Sequence, residues 1–403
     1  MMISRRGRVV ESFKVMEVLR RANEMEASGR KVLHLEVGQP RSGAPPSAVA
    51  AATRALAAGE PLGYTNANGT DMLRRRIAAW YAERHGAKVD PERVVVTTGS
   101  SAGFVLSFAA LFDPGDAVAV PSTAYPCYRN VLRALGCEPV EIASSEGPFR
   151  FPGPTDVARL AAERERRGAT RPRGLVVSSP ANPTGATLDA SDLGDLATAC
   201  RDLGISFVSD EIYHHLGYED APRPASAVDL DGVVVVNSFS KFFSMTGWRV
   251  GWLVLPSGYQ DLAASVHKLQ QNLNICAPAV SQVAAAASFD DVDAELADHV
   301  SRYAVNRAIV LEGLRGLGID LDAHVAPASG AFYVYADLGN YGVSDSSAWC
   351  AGLLQDTAVA LTPGLDFEFD RALGDRRVRF SYCGDTDDVA LAMDRLRAWW
   401  RPP

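Results

Sequence analysis

The stretch SFSKFFSMTGWRVG, residues 238–251, places a single lysine, Lys241, among small hydroxyls and phenylalanines. The apolar run VVVVN just before it predicts a buried strand, whereas most lysines are solvated surface charges. An amine desolvated among aromatic rings has a lowered pKa, and the neutral amine is a nucleophile and a base. Lys241 is therefore a candidate covalent catalyst. Arg249, eight residues later, is a candidate partner for an anion that Ser238 and Ser240 could also bind.

Two other predicted strand ends carry small polar residues suited to ligand binding. TTGSSAGF follows the apolar run RVVV and offers Gly99, Ser100 and Ser101 at the start of a helix. Free backbone N–H groups at that end of a helix bind anions such as phosphate, although serine there also serves as an ordinary N-cap. ANPTG follows GLVVSSP and contains Asn182, whose amide could donate to a ligand oxygen; the same residues also form a plain turn.

A carboxylate ends the apolar run ISFVSD. Asp210 at this buried position needs a partner, either the N-terminus of a following helix or a protonated ring nitrogen. Tyr213, three residues on, either presents its phenol in the same cleft or packs in the core. A Schiff-base lysine together with an acidic partner for a pyridinium nitrogen is the arrangement that binds pyridoxal phosphate. Each observation is weak alone, but their order at successive strand ends predicts that cofactor.

The elements that must position these residues alternate regularly along the chain. Helical patterns, among them 101–112, 155–166 and 189–203, lie between most of the predicted strands. The strand segments are RVVVTTG, AVAVPS, EPVEIA, RGLVVSSP, ISFVSD, VVVVNSFS and RVGWLVLP. Strands that are apolar on both faces and separated by helices predict an α/β fold with a mostly parallel sheet covered by helices. Ligands of such sheets bind beyond the carboxyl ends of the strands.

The chain is long enough for more than one domain, and its texture changes along its length. An amphipathic helix is predicted over 13–28, ended by Gly29. Toward the C-terminus a long helix leads into GAFYVYADL, AVALTPG, RVRFSYC and a last helix, which is an α+β pattern. We predict an N-terminal arm with part of the small domain over 1–45, a large cofactor-binding domain over 46–290 and a smaller C-terminal domain over 291–403.

Together these motifs resemble the class I/II, fold-type I, aminotransferases. The motifs that occur in the family's order and at its spacings are GYTNANGTDMLRRRIA, TGSSAG, PSTAYPCY, ANPTG, SDEIY, SFSKFFSMTGWRVG, GAFYVYADL and VRFSYC. They extend over essentially the whole chain. The resemblance implies pyridoxal 5′-phosphate as cofactor. It also implies the pyridoxal phosphate-dependent transferase-like fold, with a seven-stranded sheet in the large domain and a smaller α+β domain.

The resemblance assigns cofactor roles to individual residues. Lys241 would carry the cofactor as an aldimine and move the proton between the substrate α-carbon and the cofactor C4′. Asp210 would keep the pyridine nitrogen protonated, while Asn182 and Tyr213 would hydrogen-bond the ring 3′ oxygen. Tyr125, in AYPCY, would stack on the ring. The residues expected around the phosphate are Gly99, Ser100, Ser101, Ser238, Ser240 and Arg249.

Further residues acquire roles from the resemblance alone. Arg379, in RVRFSYC, would bind the substrate α-carboxylate with its fork of donors, near Gly38 and Asn182. Tyr64 would reach the phosphate of a neighbouring subunit, so that the protein would be a homodimer with shared active sites. Without the resemblance, Tyr64 and Tyr125 would be taken as core aromatics, and Arg379 as one half of a structural ion pair.

Departures from the family pattern concern the substrate. The family often has an acidic loop where this chain has GQPRSGAP, and Phe-Gly where it has Phe367-Glu368. The stretch 367–376 is therefore expected either to line the site differently or to form a mobile flap. A dicarboxylic substrate needs a second cation besides Arg379, and one family subgroup has a lysine where Ser101 stands here. Another arginine, including one of a second subunit, could supply that cation, but the sequence does not locate it. We therefore favour neutral or aromatic amino acids as substrates.

These assignments predict a ping-pong aminotransferase that moves an amino group between an L-amino acid and a 2-oxo acid. The alternative is a pyridoxal phosphate lyase or oxidase acting on an amino acid, since Lys241 and Asp210 serve those reactions on the same scaffold. A more remote alternative is a non-catalytic ligand-binding regulator. Such a regulator would need a DNA-binding domain, for which the residues before Gly38 are too few.

Composition argues against other classes of partner. The net charge is -8, and no long run of Lys or Arg suggests nucleic-acid binding. No apolar run has membrane length and no secretory leader is evident, while the six cysteines lack C-x-x-C spacing. These features predict a cytoplasmic protein with free thiols. His214 and His215 are adjacent, and a helix or strand would point them apart, so no metal site is predicted.

Overall fold

The predicted strands form one central sheet in the computed structural model, which describes residues 2–218 and 224–401. In chain order the strands of the protein are β1 (Leu33–His34), β2 (Val94–Thr97), β3 (Ala117–Pro121), β4 (Glu138–Ile142), β5 (Gly174–Ser178), β6 (Ser206–Asp210), β7 (Val233–Ser238), β8 (Gly251–Val254), β9 (Tyr333–Asp337), β10 (Val359–Ala360), β11 (Thr362–Pro363) and β12 (Arg377–Ser381). The central sheet has seven strands in the order β2-β8-β7-β6-β5-β3-β4. Strand β8 is antiparallel to both of its neighbours, and the other pairs are parallel. The predicted α/β class and the mostly parallel sheet are confirmed.

Helices alternate with these strands as the sequence predicts. Their bounds are α1 (Arg5–Val9), α2 (Lys14–Ala27), α3 (Pro46–Ala57), α4 (Asp71–His85), α5 (Gly99–Leu111), α6 (Pro126–Leu135), α7 (Pro154–Arg166), α8 (Ala190–Asp202), α9 (Gln260–Leu273), α10 (Ala279–Ser288), α11 (Val292–Gly316), α12 (Leu321–His324), α13 (Ser346–Thr357), α14 (Arg371–Gly374) and α15 (Thr386–Trp399). The helices predicted over 101–112, 155–166 and 189–203 are α5, α7 and α8, with small differences at their ends. Gly29, predicted to end the helix over 13–28, has φ +91° just beyond α2, a left-handed conformation that favours glycine.

The central sheet is buried on both faces, which explains why its strands are continuous apolar runs. In β7, Val233 and Val235 belong to one hydrophobic cluster, which α4 and α8 also enter. Val234 and Val236 belong to a second cluster, to which α5, α6 and α9 contribute. Alternate residues of one strand therefore pack against different helices. The rigid sheet between the two helical layers fixes where its strands end.

A second, three-stranded sheet has the order β11-β12-β9 and is antiparallel. The N-terminal segment joins these C-terminal elements, because β1 pairs in parallel with β10 through Leu33↔Val359 and His34↔Ala360. This pairing supports an N-terminal arm that contributes to the small domain. The boundaries 1–45, 46–290 and 291–403 remain predictions.

The sequence also predicts free thiols and no membrane span. The six cysteines are all unpaired, and Cys276 is the one that is not fully buried. Within residues 2–218 and 224–401, no helix combines the length and the apolar character needed to cross a bilayer.

Candidate active site

Lys241 lies at the carboxyl end of the central sheet, immediately after β7. Its Nζ donates a hydrogen bond to the carbonyl oxygen of Gly38 at 2.5 Å. Burial is the largest cause that lowers the pKa of the Lys241 amine, to about 8, and the charges of Arg379 and Arg249 act in the same direction. The amine is thus closer to its neutral, nucleophilic form at neutral pH than a surface lysine is.

Asp210 ends β6 on the neighbouring strand and is 2% exposed. Its Oδ1 accepts a hydrogen bond from the Ile212 backbone N–H at 3.1 Å, and its Oδ2 accepts one from the Tyr128 hydroxyl. Burial raises the pKa of the Asp210 carboxyl to about 6, although these two hydrogen bonds oppose the shift. Tyr128 is a site residue that the sequence analysis missed. It lies one helical turn after Tyr125, and that spacing was the available signal.

The predicted anion site lies where α5 begins. Gly99 has φ +72°, and a Cβ built on it would overlap the guanidinium of Arg249. Arg249 is exposed and also donates to the Thr246 carbonyl oxygen at 2.9 Å. Glycine is therefore required at position 99 both by the backbone conformation and by the close approach of the arginine. Ser100 is buried on this first turn of the helix, whereas Ser101 is exposed.

The two serines before Lys241 are next to this helix start. The hydroxyl oxygens of Ser238 and Ser240 are 2.8 Å apart. Ser238 pairs with Gly251 in the sheet, and a Cβ on Gly251 would lie 2.8 Å from backbone atoms of Gly99 and Ser100. Hydroxyls, backbone N–H groups and a guanidinium therefore converge, which is the donor set that a phosphate requires.

Arg379 lies on the other side of the site, in β12, and is 4% exposed. Its Nη1 donates to the Asn182 side-chain oxygen at 2.9 Å. The guanidinium carbon lies 4.4 Å from the ring centre of Tyr333 and 4.9 Å from that of Phe367. Its Nε has no hydrogen-bond partner within the described ranges, although it is buried. A buried donor without a partner is costly, so this position favours an acceptor such as a carboxylate.

Tyr333, in β9, connects the two sides and was not assigned a role from the sequence. Its hydroxyl is 2.8 Å from the hydroxyl of Tyr213. A Cβ on Gly38 would overlap the same hydroxyl, so glycine at position 38 allows the N-terminal segment to lie against it. Tyr125 is partly buried at the start of α6, with its ring edge-on to Tyr128 at 5.6 Å between centres.

Tyr64 lies apart from these residues. Its side chain is 86% exposed. The adjacent segment is held against the helices that follow β8, because Gln282 donates to the Thr65 hydroxyl and Gln270 donates to the Ala67 carbonyl oxygen. Within one chain, Tyr64 therefore contributes no described contact to the site.

Phe367 and Glu368, where the sequence departs from the family pattern, were expected either to line the site differently or to belong to a mobile flap. The buried contacts of the two residues favour the first alternative. Phe367 is 2% exposed and Glu368 is 4% exposed. Phe367 contacts Arg379, as described above, and the Glu368 carboxylate accepts hydrogen bonds from neighbouring side chains. The stretch continues into the short helix α14.

The expectation that His214 and His215 point apart is wrong. Their rings stack with centres 4.9 Å apart, because the segment is a turn in which His215 has φ +73°. His85 joins them, so that three imidazoles lie together. However, Nδ1 of His214 is 3.1 Å from a Glu211 carboxylate oxygen and its Nε2 is 2.9 Å from the Pro224 carbonyl oxygen. Both of its nitrogens are engaged, and the expected lack of a metal stays a prediction.

The predicted residues fit pyridoxal phosphate. A buried carboxylate at Asp210 suits a protonated ring nitrogen, and Lys241 offers an amine of lowered pKa. The glycine at position 99 allows the Arg249 guanidinium to approach the start of α5, where a phosphate would bind. The unpartnered Nε of Arg379 suits a substrate carboxylate.

Comparisons with known proteins identify the family of the chain. Residues 30–396 match the family described as aminotransferase class I and II. The valine–pyruvate aminotransferase of Mycobacterium tuberculosis is 45% identical over 392 residues, which cover 97% of this chain and 96% of the relative. A crystal structure of an aminotransferase from Mycobacterium tuberculosis has a TM-score of 0.91 at 43% identity and covers 99% of both chains. Aspartate aminotransferase from Thermus thermophilus with maleate has a TM-score of 0.86 at 30% identity, again with 99% of both chains covered.

The chain belongs to the class I and II aminotransferase family and has the fold-type I architecture. It is a transaminase that depends on pyridoxal phosphate and moves an amino group between an amino acid and an oxo acid. The predicted family, fold, cofactor and reaction are confirmed. The names of these relatives favour transamination over the lyase, oxidase and regulator alternatives.

Proposed function

We propose that this transaminase takes valine or a similar branched, neutral amino acid as donor and pyruvate as acceptor, at the site built around Lys241. The main support for this proposal is Arg379, a buried guanidinium beside two aromatic rings, whose Nε has no hydrogen-bond partner among the described residues. Such a site offers one carboxylate position next to apolar surface. The name of the relative at 45% identity supports the same substrates.

The neighbouring arginines argue against a dicarboxylic donor. Arg377 donates to Glu368 at 2.9 Å and to Asp337 at 3.3 Å. The Arg129 guanidinium donates to the carbonyl oxygens of Asp366 and Glu368. Both guanidiniums are therefore engaged by acceptors within the chain, and burying a second substrate carboxylate without a cation of its own is costly.

In this proposal each side chain of the site has a separate task. Bound pyridoxal phosphate supplies the electron sink and the attachment point for the amino group. Asp210 would pair with the ring nitrogen, and the Tyr128 hydroxyl would orient that carboxylate. Lys241, partly neutral because of its lowered pKa, would accept the proton from the substrate α-carbon and deliver it to the cofactor C4′.

The remaining residues bind and orient. Asn182 and Tyr213 would hold the 3′ oxygen of the ring, and Tyr125 would stack on its face. The residues that would surround the phosphate are Gly99, Ser100, Ser101, Ser238, Ser240 and Arg249. Arg379 holds the α-carboxylate with Asn182 and Gly38 beside it, so that the α-hydrogen is presented to the Lys241 amine.

We also infer a homodimer in which Tyr64 completes the site of the second copy. The high exposure of Tyr64 supports this, since a tyrosine that reaches a neighbour has no role in its own site. Leu273 and Ile275 are 55% and 49% exposed, and they follow Gln270, which holds the Tyr64 segment. Exposed apolar side chains close together indicate an interface. The free thiols support a cytoplasmic location.

The substrate assignment is tested by single half-reactions. Purified holoenzyme is mixed with valine or aspartate without an acceptor, and the loss of cofactor absorbance gives the rate. Valine is expected to react at least about tenfold more efficiently than aspartate, and pyruvate then to restore the spectrum with formation of alanine. A preference for aspartate would overturn the assignment of the donor while leaving the family untouched.

A further inference from the structure

Glu368 is a buried carboxylate that joins three separate parts of the chain. Its Oε1 accepts hydrogen bonds from the Tyr335 hydroxyl at 2.7 Å and from Arg377 Nη1 at 2.9 Å. The Thr123 hydroxyl lies 3.2 Å and 3.0 Å from its two oxygens. Tyr335 belongs to β9 and Arg377 to β12, whereas Thr123 follows β3 of the central sheet. One carboxylate therefore ties the small sheet to the large one.

Backbone contacts add to this connection between the two sheets at Glu368. Thr123 and Glu368 form an antiparallel bridge. The guanidinium of Arg129, on α6, donates to the carbonyl oxygens of Asp366 and Glu368. The segment 366–368 is thereby held against α6, which also carries Tyr128, the residue that donates to Asp210.

The residues that contact Glu368 are directly connected to Arg379, the proposed binding site of the substrate carboxylate. Arg377 and Arg379 are two residues apart in β12 and so lie on the same side of the strand. Arg379 is the register partner of Tyr335 in β9. Phe367, which precedes Glu368, has its ring 4.9 Å from the Arg379 guanidinium carbon and 5.8 Å from the Tyr335 ring. A shift of Glu368 would therefore move both the strand that carries Arg379 and the ring that packs on it.

We propose that Glu368 is a positioning residue for the substrate carboxylate: by holding Tyr335, Arg377 and Thr123, it fixes Phe367 and Arg379 where the carboxylate binds. This inference rests on the proposed role of Arg379. It gives a role to a charged residue that is only 4% exposed. The charge is balanced by Arg377, so removal of the carboxylate alone leaves a buried cation short of one partner.

Two analogues of valine can distinguish binding of the carboxylate from binding of the rest of the substrate. 3-Methylbutanoate has the carboxylate and the branched chain of valine without its amino group. 2-Methylpropylamine has the branched chain and an amine without the carboxylate. Binding of each to the holoenzyme is followed by the absorbance of the bound cofactor, and thermal unfolding verifies that each variant is folded.

Glu368→Ala is expected to bind 3-methylbutanoate about tenfold more weakly and 2-methylpropylamine as the wild type does. KM for valine and for pyruvate should rise together while kcat changes little, because both substrates present a carboxylate. Glu368→Gln keeps the acceptor for Tyr335 and Arg377 and should recover most of the affinity. The control is Glu138→Gln, at an exposed residue of β4 paired with Arg164, and it should change neither affinity.

The outcomes distinguish this inference from the proposed function. If Arg379→Lys weakens the binding of 3-methylbutanoate and Glu368→Ala does not, Glu368 has no positioning role. If Arg379→Lys also leaves the affinity unchanged, the assignment of the carboxylate site itself fails. Should Glu368→Ala not fold, Thr123→Val removes the hydroxyl contact alone. Thr123→Val is expected to lower the affinity for 3-methylbutanoate about threefold, and wild-type affinity in that variant would overturn the proposal.

Discussion

Lys241 and Asp210 are both buried, and burial changes their pKa values in opposite directions. The pKa of the amine falls to about 8, and that of the carboxyl rises to about 6. Each charged form is therefore disfavoured in the protein without cofactor, although in the proposed mechanism each residue holds or moves charge when the cofactor is present. The site is built at a cost to the stability of the cofactor-free protein.

This cost predicts that Asp210→Asn stabilises the cofactor-free protein. The pKa of Asp210 is about 6 in the folded protein against an ordinary value of 3.8, so the folded state binds more protons between those pH values. Its contribution to the free energy of unfolding therefore falls as the pH rises from 3.8 to 6, and the penalty is complete above pH 6. We expect Asp210→Asn to gain up to about 3 kcal/mol at pH 7.5 and little near pH 4, as measured by denaturant unfolding.

The same variant should hold the cofactor more weakly, because it cannot pair with a protonated ring nitrogen. Asp231→Asn, at an exposed position, is the control and should change neither quantity. An Asp210→Asn protein that is no more stable without cofactor at pH 7.5 would show that burial does not penalise this carboxylate.

At the scale of elements, the site depends on where strands end and helices begin. The seven strands were predictable because both faces of the sheet are buried, which requires β-branched and apolar residues throughout. The antiparallel direction of β8 was not predicted. The loop between Ser238 and Gly251 was the available signal, since it shows no helical pattern for the crossover that joins parallel strands.

Partners that are distant in sequence could not be predicted from local pattern. Tyr128 contacts Asp210 across 82 positions, Tyr333 contacts Tyr213 across 120, and Glu368 contacts Thr123 across 245. Strand ends predict which residues meet at one edge of the sheet, but the identity of each hydrogen-bond partner depends on how the small sheet packs on the large one. The residues on the large sheet were therefore easier to predict than those that support them.

The helix start at Gly99 gives a prediction at this scale. Gly99→Ala should weaken cofactor binding about tenfold or more, because its Cβ would displace the Arg249 guanidinium from the predicted phosphate site. Gly86→Ala is a matched control: Gly86 has φ +66°, close to the +72° of Gly99, but a Cβ added there would meet no described atom within 4 Å beyond its own helix and chain neighbours. Both variants should lose about 1 kcal/mol of stability from backbone strain, and only Gly99→Ala should lose affinity for the cofactor in a fluorescence titration. Equal affinities in the two variants would argue against a phosphate at this helix start.

For the whole molecule, the site requires residues from both ends of the chain. Gly38 from the N-terminal segment contacts Lys241, and Arg379 from the C-terminal sheet contacts Asn182 in the centre. The site is therefore complete only when the two sheets pack together. The proposed homodimer extends this dependence to a second chain through Tyr64.

Shared active sites predict complementation between two inactive variants. Lys241→Ala lacks the amine that is proposed to be catalytic, and Tyr64→Ser lacks the group that is proposed to reach the other subunit. In a mixed dimer one site carries both substitutions and the other carries neither, so mixing the two proteins after mild dissociation should give more activity than the sum of the parents. Activity equal to that sum, with mixed dimers present by mass spectrometry, would contradict a shared site.

The most direct test of the account is to locate the lysine that holds the cofactor. Borohydride converts a lysine-bound cofactor into a stable adduct, and peptide mass spectrometry then identifies the modified residue. The chain has five lysines, Lys14, Lys31, Lys88, Lys241 and Lys268, of which Lys241 lies three residues beyond the end of the buried strand β7. We predict that the adduct forms on the peptide that contains Lys241 and is absent from folded Lys241→Ala protein. An adduct on another lysine, or unchanged labelling of that variant, would contradict the assignment of the active site.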